Sequence, residues 1–144
     1  MAVLVTGGAG YIGSHTAVVL HEAGRDVVVL DDLSNSSMAA VEAVRVLTRP
    51  DLPFIEADAA DVDAVGRALV DHGIDEVIHL LAFQSVIGSI FAPAGYHRNN
   101  VVSTTCVVAA ILRHRVLRDL PFIPVESSRD SRPSVTETCH ASTE

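Results

Sequence analysis

The sequence predicts an α/β fold, a doubly wound parallel sheet of about five strands. Three observations predict it. Short apolar runs recur along the chain and alternate with segments of helical period. Gly7, Gly10 and Gly13 fall at three-residue intervals between the first apolar run and the first helical segment. The apolar runs end in polar or acidic residues, as at Asp31-Asp32 and Asp58-Ala59, which gathers chemistry at the carboxyl edge of the sheet.

Taken in order, Val3, Leu4 and Val5 form the first run, of the kind that makes a strand buried on both faces. Ile12, Thr16, Val19, Leu20 and Ala23 then mark a helix, and Gly24 stops it. Val27 to Leu30 is the second strand. Ser34-Asn35-Ser36-Ser37 is a polar loop that caps a helix carrying Val41, Val44 and Leu47, which closes at Arg49-Pro50. Pro53 to Asp58 reads as the third strand. Asp61 caps a helix with Val62, Val65 and Leu69, ended by Gly73. Glu76 to Leu81 is the fourth strand. Residues 94–116 form a long helix, apolar on more than one face, with Asn99 and Asn100 near its start. Arg113-His114-Arg115 suits the negative end of that helix dipole. Leu120 to Val125 is a fifth strand weakened by Pro121 and Pro124. The strand–helix alternation predicts right-handed crossovers and a parallel sheet. The expected domain is 1–125, and 126–144 is a polar tail without periodicity.

The glycine spacing has a chemical reading. Gly7 permits a tight turn, Gly10 lets the backbone approach a pyrophosphate, and Gly13 lets the helix lie against the strand. A pyrophosphate would then sit on the free N–H groups of a helix start. Asp31 follows Gly13 by 18 positions, where a carboxylate accepts hydrogen bonds from adenosine ribose hydroxyls. An acid there repels a 2′-phosphate, which favours NAD over NADP.

Composition narrows the class. The 144 residues are 49% hydrophobic, enough for a packed core. A net charge of −8 argues against a nucleic-acid surface. Cys106 and Cys139 have no metal or redox spacing and read as free thiols of a reducing compartment. No signal peptide or membrane-spanning stretch is visible, so a cytoplasmic protein is expected. The seven histidines have no ligand spacing with Cys or acid partners, so no metal site is expected. Ser14-His15 is not a nucleophilic pair, because neighbours on a helix diverge by about 100°. All ten basic residues are arginine. A mechanism needing a lysine ammonium is therefore excluded for this chain alone.

The stretch from Val3 to Thr16 resembles the opening of the UDP-glucose 4-epimerases, extended members of the short-chain dehydrogenase/reductase superfamily with a Rossmann-like fold. Asp31 to Ser36, Asp58, Val77-Ile78-His79, Pro93, Tyr96 and Asn99-Asn100-Val101 are similar in register. The resemblance covers roughly 1–118, an N-terminal portion. It implies a tightly bound NAD that takes hydride from C4 of a UDP-hexose and returns it to the other face, so that NAD and a UDP-sugar are the implied partners. It implies that Tyr11 and Ile12 contact the pyrophosphate. Asp31, Asp32, Leu33, Ser34, Asn35 and Ser36 would hold the adenosine side, and Asp58-Ala59 would flank the adenine. Leu80, Leu81, Ala82, Phe83 and Gln84 would line the nicotinamide path, with Asn99 close by. Leu80 and Leu81 replace small residues of the family and would crowd the cofactor. Gln84 stands where a lysine is common.

The family's Tyr-x-x-x-Lys does not occur in these 144 residues. Tyr11 and Tyr96 are followed four positions on by His15 and Asn100. The expectation is a family fold incomplete beyond the fifth strand, without substrate domain or activity of its own, that self-associates through the helix 94–116. Two further readings stay open: a non-catalytic NAD-binding or interaction protein, and a portion of another nucleotide-sugar dehydratase or decarboxylase.

Overall fold

The computed structural model describes residues 1–114 and 122–124. Five strands form one parallel sheet: β1 (Ala2–Thr6), β2 (Asp26–Asp31), β3 (Phe54–Glu56), β4 (Ile74–His79) and β5 (Phe122–Pro124), in the order β3-β2-β1-β4-β5. Helices α1 (Tyr11–Glu22) and α2 (Met38–Leu47) connect the first three strands. Helix α3 (Val62–Asp71) crosses from β3 to β4. Between β4 and β5 come α4 (Val86–Phe91), α5 (Pro93–His97), a π-helical turn (Arg98–Val102) and α6 (Ser103–His114). The predicted fold class holds. The strands Leu120–Val125 and the helix 94–116 are seen only as far as the described residues reach, and the stretch 126–144 lies outside them.

The central strand β1 pairs with β2 through Val3↔Val27 to Thr6↔Leu30, and with β4 through Val3↔Glu76 to Thr6↔His79. Strand alternation sorts the core into two layers. Leu4, Val28, Leu30, Val65, Leu69, Ile74, Val77, Val107 and Ala110 pack beneath α3 and α6. Val3, Val5, Ala17, Val27, Val29, Val44 and Leu52 pack beneath α1 and α2.

Five elements differ from the sequence reading. The third strand is only Phe54–Glu56, which leaves Ala57 and Asp58 in the loop after it. In α1 the buried positions are Gly13 and Ala17, whereas Ile12 and Val19 face outward. The glycine turn brings the helix so close to the sheet that only small side chains fit between them. In α2, Val41 and Val44 are buried but Leu47 is exposed. At 100° per residue it has turned off their stripe. The fourth strand runs Ile74–His79, which leaves Leu80 and Leu81 as the first loop residues. The long helix is one helical path from Pro93 to His114, widened at Arg98–Val102 by the π turn. Such turns commonly occur at functional sites. Asp61 caps α3 as expected, accepting from Asp63 N and Ala64 N, both at 3.0 Å.

Candidate functional site

At the carboxyl edge of the sheet, the loops after β1, β2 and β4 enclose a narrow cleft. Gly7 and Gly10 form its floor, Asp31, Asp32, Ser34, Asn35 and Ser36 one wall, and Leu80, Leu81, Ala82, Phe83 and Asn99 the other. Its volume is about 70 Å³, small beside the several hundred of an enclosed small-molecule site. The main chain of Leu80 and Leu81 lies close over the glycine turn. A Cβ on Gly7 would lie 2.9 Å from the main chain of both residues.

The three motif glycines are required for different reasons. Gly7 has φ +71°, a left-handed backbone that other residues adopt at a cost. A Cβ on Gly13 would collide with the Gly7 carbonyl oxygen, so the close crossing of α1 over β1 needs a hydrogen there. Gly10 needs neither. Its φ of −71° and ψ of 172° suit any residue, and a Cβ would approach only the Gly7 oxygen, at 3.2 Å. Gly10 is the N-cap of α1 and supplies no side-chain acceptor to the first turn. The opening of a 12-residue helix therefore meets the cleft without a cap of its own, the arrangement that takes an anion.

Asp31 joins the two halves of the first wall. Its Oδ2 accepts from Ala9 N at 3.1 Å, and its Oδ1 from Leu33 N at 2.9 Å and Ser36 Oγ at 2.7 Å. These bonds hold Leu33 at φ 57°, strained for a branched residue. A carboxylate offers about four lone-pair sites, so Asp31 keeps roughly one for a ligand hydroxyl.

Opposite, Asn100 pins the loop after β4. It donates from Nδ2 to Phe83 O at 3.0 Å and accepts Phe83 N on Oδ1 at 2.8 Å. Asn99 Nδ2 donates to the same Oδ1 at 3.0 Å. The Ser103 hydroxyl donates to the Asn99 carbonyl.

Behind this wall lies a buried polar chain. Thr104 Oγ1 donates to Asn100 O at 2.7 Å, so it accepts from His79 Nε2, 3.0 Å away. His79 Nδ1 then accepts from Thr6 Oγ1 at 2.6 Å. Burial pushes the His79 imidazole down to about 4, so the neutral ring is the native form near pH 7. In the loop after β3, Asp58 accepts from Ala60 N at 2.8 Å and from Arg98 Nη2 at 2.7 Å. Partial burial works to raise the Asp58 carboxyl, but the Ala60 N–H and the Arg98 guanidinium outweigh it and hold it below its usual value.

The cleft gathers Gly7, Gly10, Asp31, Asp32, Ser34, Asn35, Ser36, Leu80, Leu81, Ala82 and Asn99 of the residues singled out in the sequence. Others lie around it. Tyr11 and Ile12 are exposed in the first turn of α1, and Ala59 is buried. Gln84 lines a second hollow of about 370 Å³ beyond Phe83, with Tyr96, His97 and Asn100. Ser14 and His15 both bond to the Tyr11 carbonyl oxygen rather than to each other. Among the described residues no helix is long and apolar enough to cross a membrane. Asn100, Arg98 and Thr6 were not legible as site residues. The available signals were a polar residue ending an apolar strand, at Thr6 and again at His79, and paired amides on a helix otherwise rich in valine.

Residues 3–127 match the family model of the NAD dependent epimerase/dehydratase family. The UDP-glucose 4-epimerase of Bacillus subtilis (strain 168) is 45% identical over 116 residues, 81% of this chain and 34% of that protein. A crystal structure of UDP-glucose-4-epimerase from Stenotrophomonas maltophila with bound NAD and formylated UDP-arabinopyranose superposes with a TM-score of 0.78. It is 37% identical, covering 85% of this chain and 36% of that one. The UDP-glucose 4-epimerase of Bifidobacterium longum, in complex with NAD+ and UDP, gives a TM-score of 0.78 at 34% identity, covering 85% and 36%. The chain spans about a third of the length of these relatives. With the motif, the sheet order and the match over residues 3–127 in agreement, this chain belongs to the NAD dependent epimerase/dehydratase family.

Proposed function

We propose that residues 1–125 are the NAD-binding portion of a UDP-glucose 4-epimerase-like protein of nucleotide-sugar metabolism, working in the cytoplasm. The observation that carries this reading is Gly10. Its backbone needs no glycine, yet it lies in the floor of the cleft at the uncapped start of α1, where a side chain would keep a diphosphate off the main chain. The residues fit a dinucleotide laid along the sheet edge. Tyr11 and Ile12 offer first-turn N–H groups to the pyrophosphate, over Gly13. Asp31 accepts from a ribose hydroxyl with its remaining lone pair, and Asp32, Leu33, Ser34, Asn35 and Ser36 shape the adenosine side. The base reaches Asp58 and Ala59. Leu80, Leu81, Ala82, Gln84 and Asn99 flank the nicotinamide end, where Phe83 borders both the cleft and the second hollow.

When bound, NAD supplies reversible hydride exchange with C4 of a UDP-hexose. What these residues contribute is orientation and the exclusion of water: Asn100 holds the loop of Leu81 to Phe83 against the floor, and Leu80 and Leu81 dry it. The chain contains no Tyr-x-x-x-Lys and no lysine, so the base for the sugar hydroxyl is not among these 144 residues, and no epimerisation is expected from them alone.

Titration calorimetry of the 144-residue chain tests the reading. NAD binds at least about tenfold more tightly than NADP, because Asp31 repels the extra phosphate. Gly10→Val abolishes binding while leaving the circular dichroism spectrum unchanged. No heat with NAD, or undiminished affinity in Gly10→Val, overturns it.

A further inference from the structure

We infer that Arg98 is a positioning residue for the base end of the dinucleotide: it fixes the Asp58 carboxylate in the loop after β3, turned to accept the exocyclic amino group of an adenine. This rests on the dinucleotide reading above and goes beyond it. The argument follows the order of the strand ends. The glycine turn follows β1, Asp31 closes β2, and Asp58 lies just beyond β3, the next strand outward. A diphosphate over the turn and a ribose at Asp31 carry the base toward Asp58.

At Asp58 the geometry is specific. Oδ1 accepts from Ala60 N at 2.8 Å, and Oδ2 from Arg98 Nη2 at 2.7 Å. Two of about four lone-pair sites are used, and the rest are open to a donor. The Asp58 side chain is 38% exposed, so without a partner it would sample several rotamers. Arg98 also lies within the field of Asp32, which lines the cleft. One cation therefore pairs with the carboxylate that follows β3 and is felt by the one that follows β2. It opens the π turn whose next residue, Asn99, lines the same cleft. An exposed ion pair contributes little to stability, but here it sets the direction of an acceptor.

An acceptor so placed distinguishes an amino group from a carbonyl. Nicotinamide hypoxanthine dinucleotide presents a carbonyl oxygen where NAD presents the amino group, and the carboxylate would face it unpaired. We expect calorimetry on the full chain to show about a tenfold preference for NAD over this analogue. Arg98→Gln reduces the preference below about threefold by weakening NAD, with the unfolding midpoint unchanged, and Arg98→Lys restores most of it. Asp58→Asn loses it as Arg98→Gln does. A full preference retained in Arg98→Gln, or none in the wild-type chain that binds both dinucleotides, overturns the role of Arg98 alone. A chain that binds neither overturns the cofactor reading itself.

Discussion

A side chain on Gly13 would meet the Gly7 carbonyl oxygen and the Gly8 Cα, both main-chain atoms that cannot rotate away. The cost of a single methyl there exceeds that of most core truncations in the same helix, because the whole of α1 must lift to accommodate it. Gly13→Ala is expected to lose about 1–3 kcal/mol of unfolding free energy in urea titrations, the range for overpacking a tight contact. A loss below about 1 kcal/mol would show that helix and strand can part freely. At this scale the glycines and Asp31 were legible because each spacing has one geometric use. The partners of Asp31 were not. Ala9 N, Leu33 N and Ser36 Oγ converge on one carboxylate through loop conformation, and no periodicity encodes that. Nor does spacing reveal that Asn100, rather than its neighbour Asn99, bonds both main-chain groups of Phe83.

At the scale of elements, periodicity located the helices better than it chose their faces. Helix α3 was read correctly because its apolar stripe and cap agree, with Val65 and Leu69 fully buried and Asp61 bonded to two N–H groups. Removing that cap in Asp61→Ala should cost about 1 kcal/mol, whereas Asp61→Ser should cost only a few tenths, measured by urea unfolding. Equal losses in the two variants would mean that the charge near the helix start, rather than the hydrogen bonds, stabilises α3. Helix α1 misleads because Tyr11, Ile12 and Val19 face away from the sheet, with Val19 62% exposed, while Val18 and Leu20 enter the core only partly. Hydrophobic spacing assumes that bulk faces the core, and the glycine turn reverses this by closing the gap. The π turn in the long helix left no mark in the apolar pattern. It becomes visible only through what it places, Arg98 on Asp58 and Asn99 in the cleft.

Across the whole molecule, a buried polar chain joins the sheet to the helical layer over it. Thr6 on β1, His79 on β4 and Thr104 on α6 are linked in series, and Thr104 reaches the π turn through Asn100 O. The site wall therefore depends on the neutral form of His79. Its pKa is pushed down to about 4 from an ordinary 6.5, and burial is the cause. Between these values the unfolded chain binds a proton that the folded chain refuses. Stability from this residue is thus fully present above about pH 6.5 and is lost as pH falls toward 4. At pH 5 the loss is about 2 kcal/mol relative to pH 7, taking 1.4 kcal/mol per unit. His79→Asn, which cannot take up the proton, should be less stable at pH 7 but should show less than half of that pH-dependent loss in urea titrations at the two pH values. The same drop in the variant as in the wild-type chain would place the acid sensitivity elsewhere. Because the linked residues end at Asn100, the wild-type chain should also lose affinity for NAD over the same interval, before it unfolds. That coupling would make one buried imidazole the joint between the stability of the fold and the shape of the cleft.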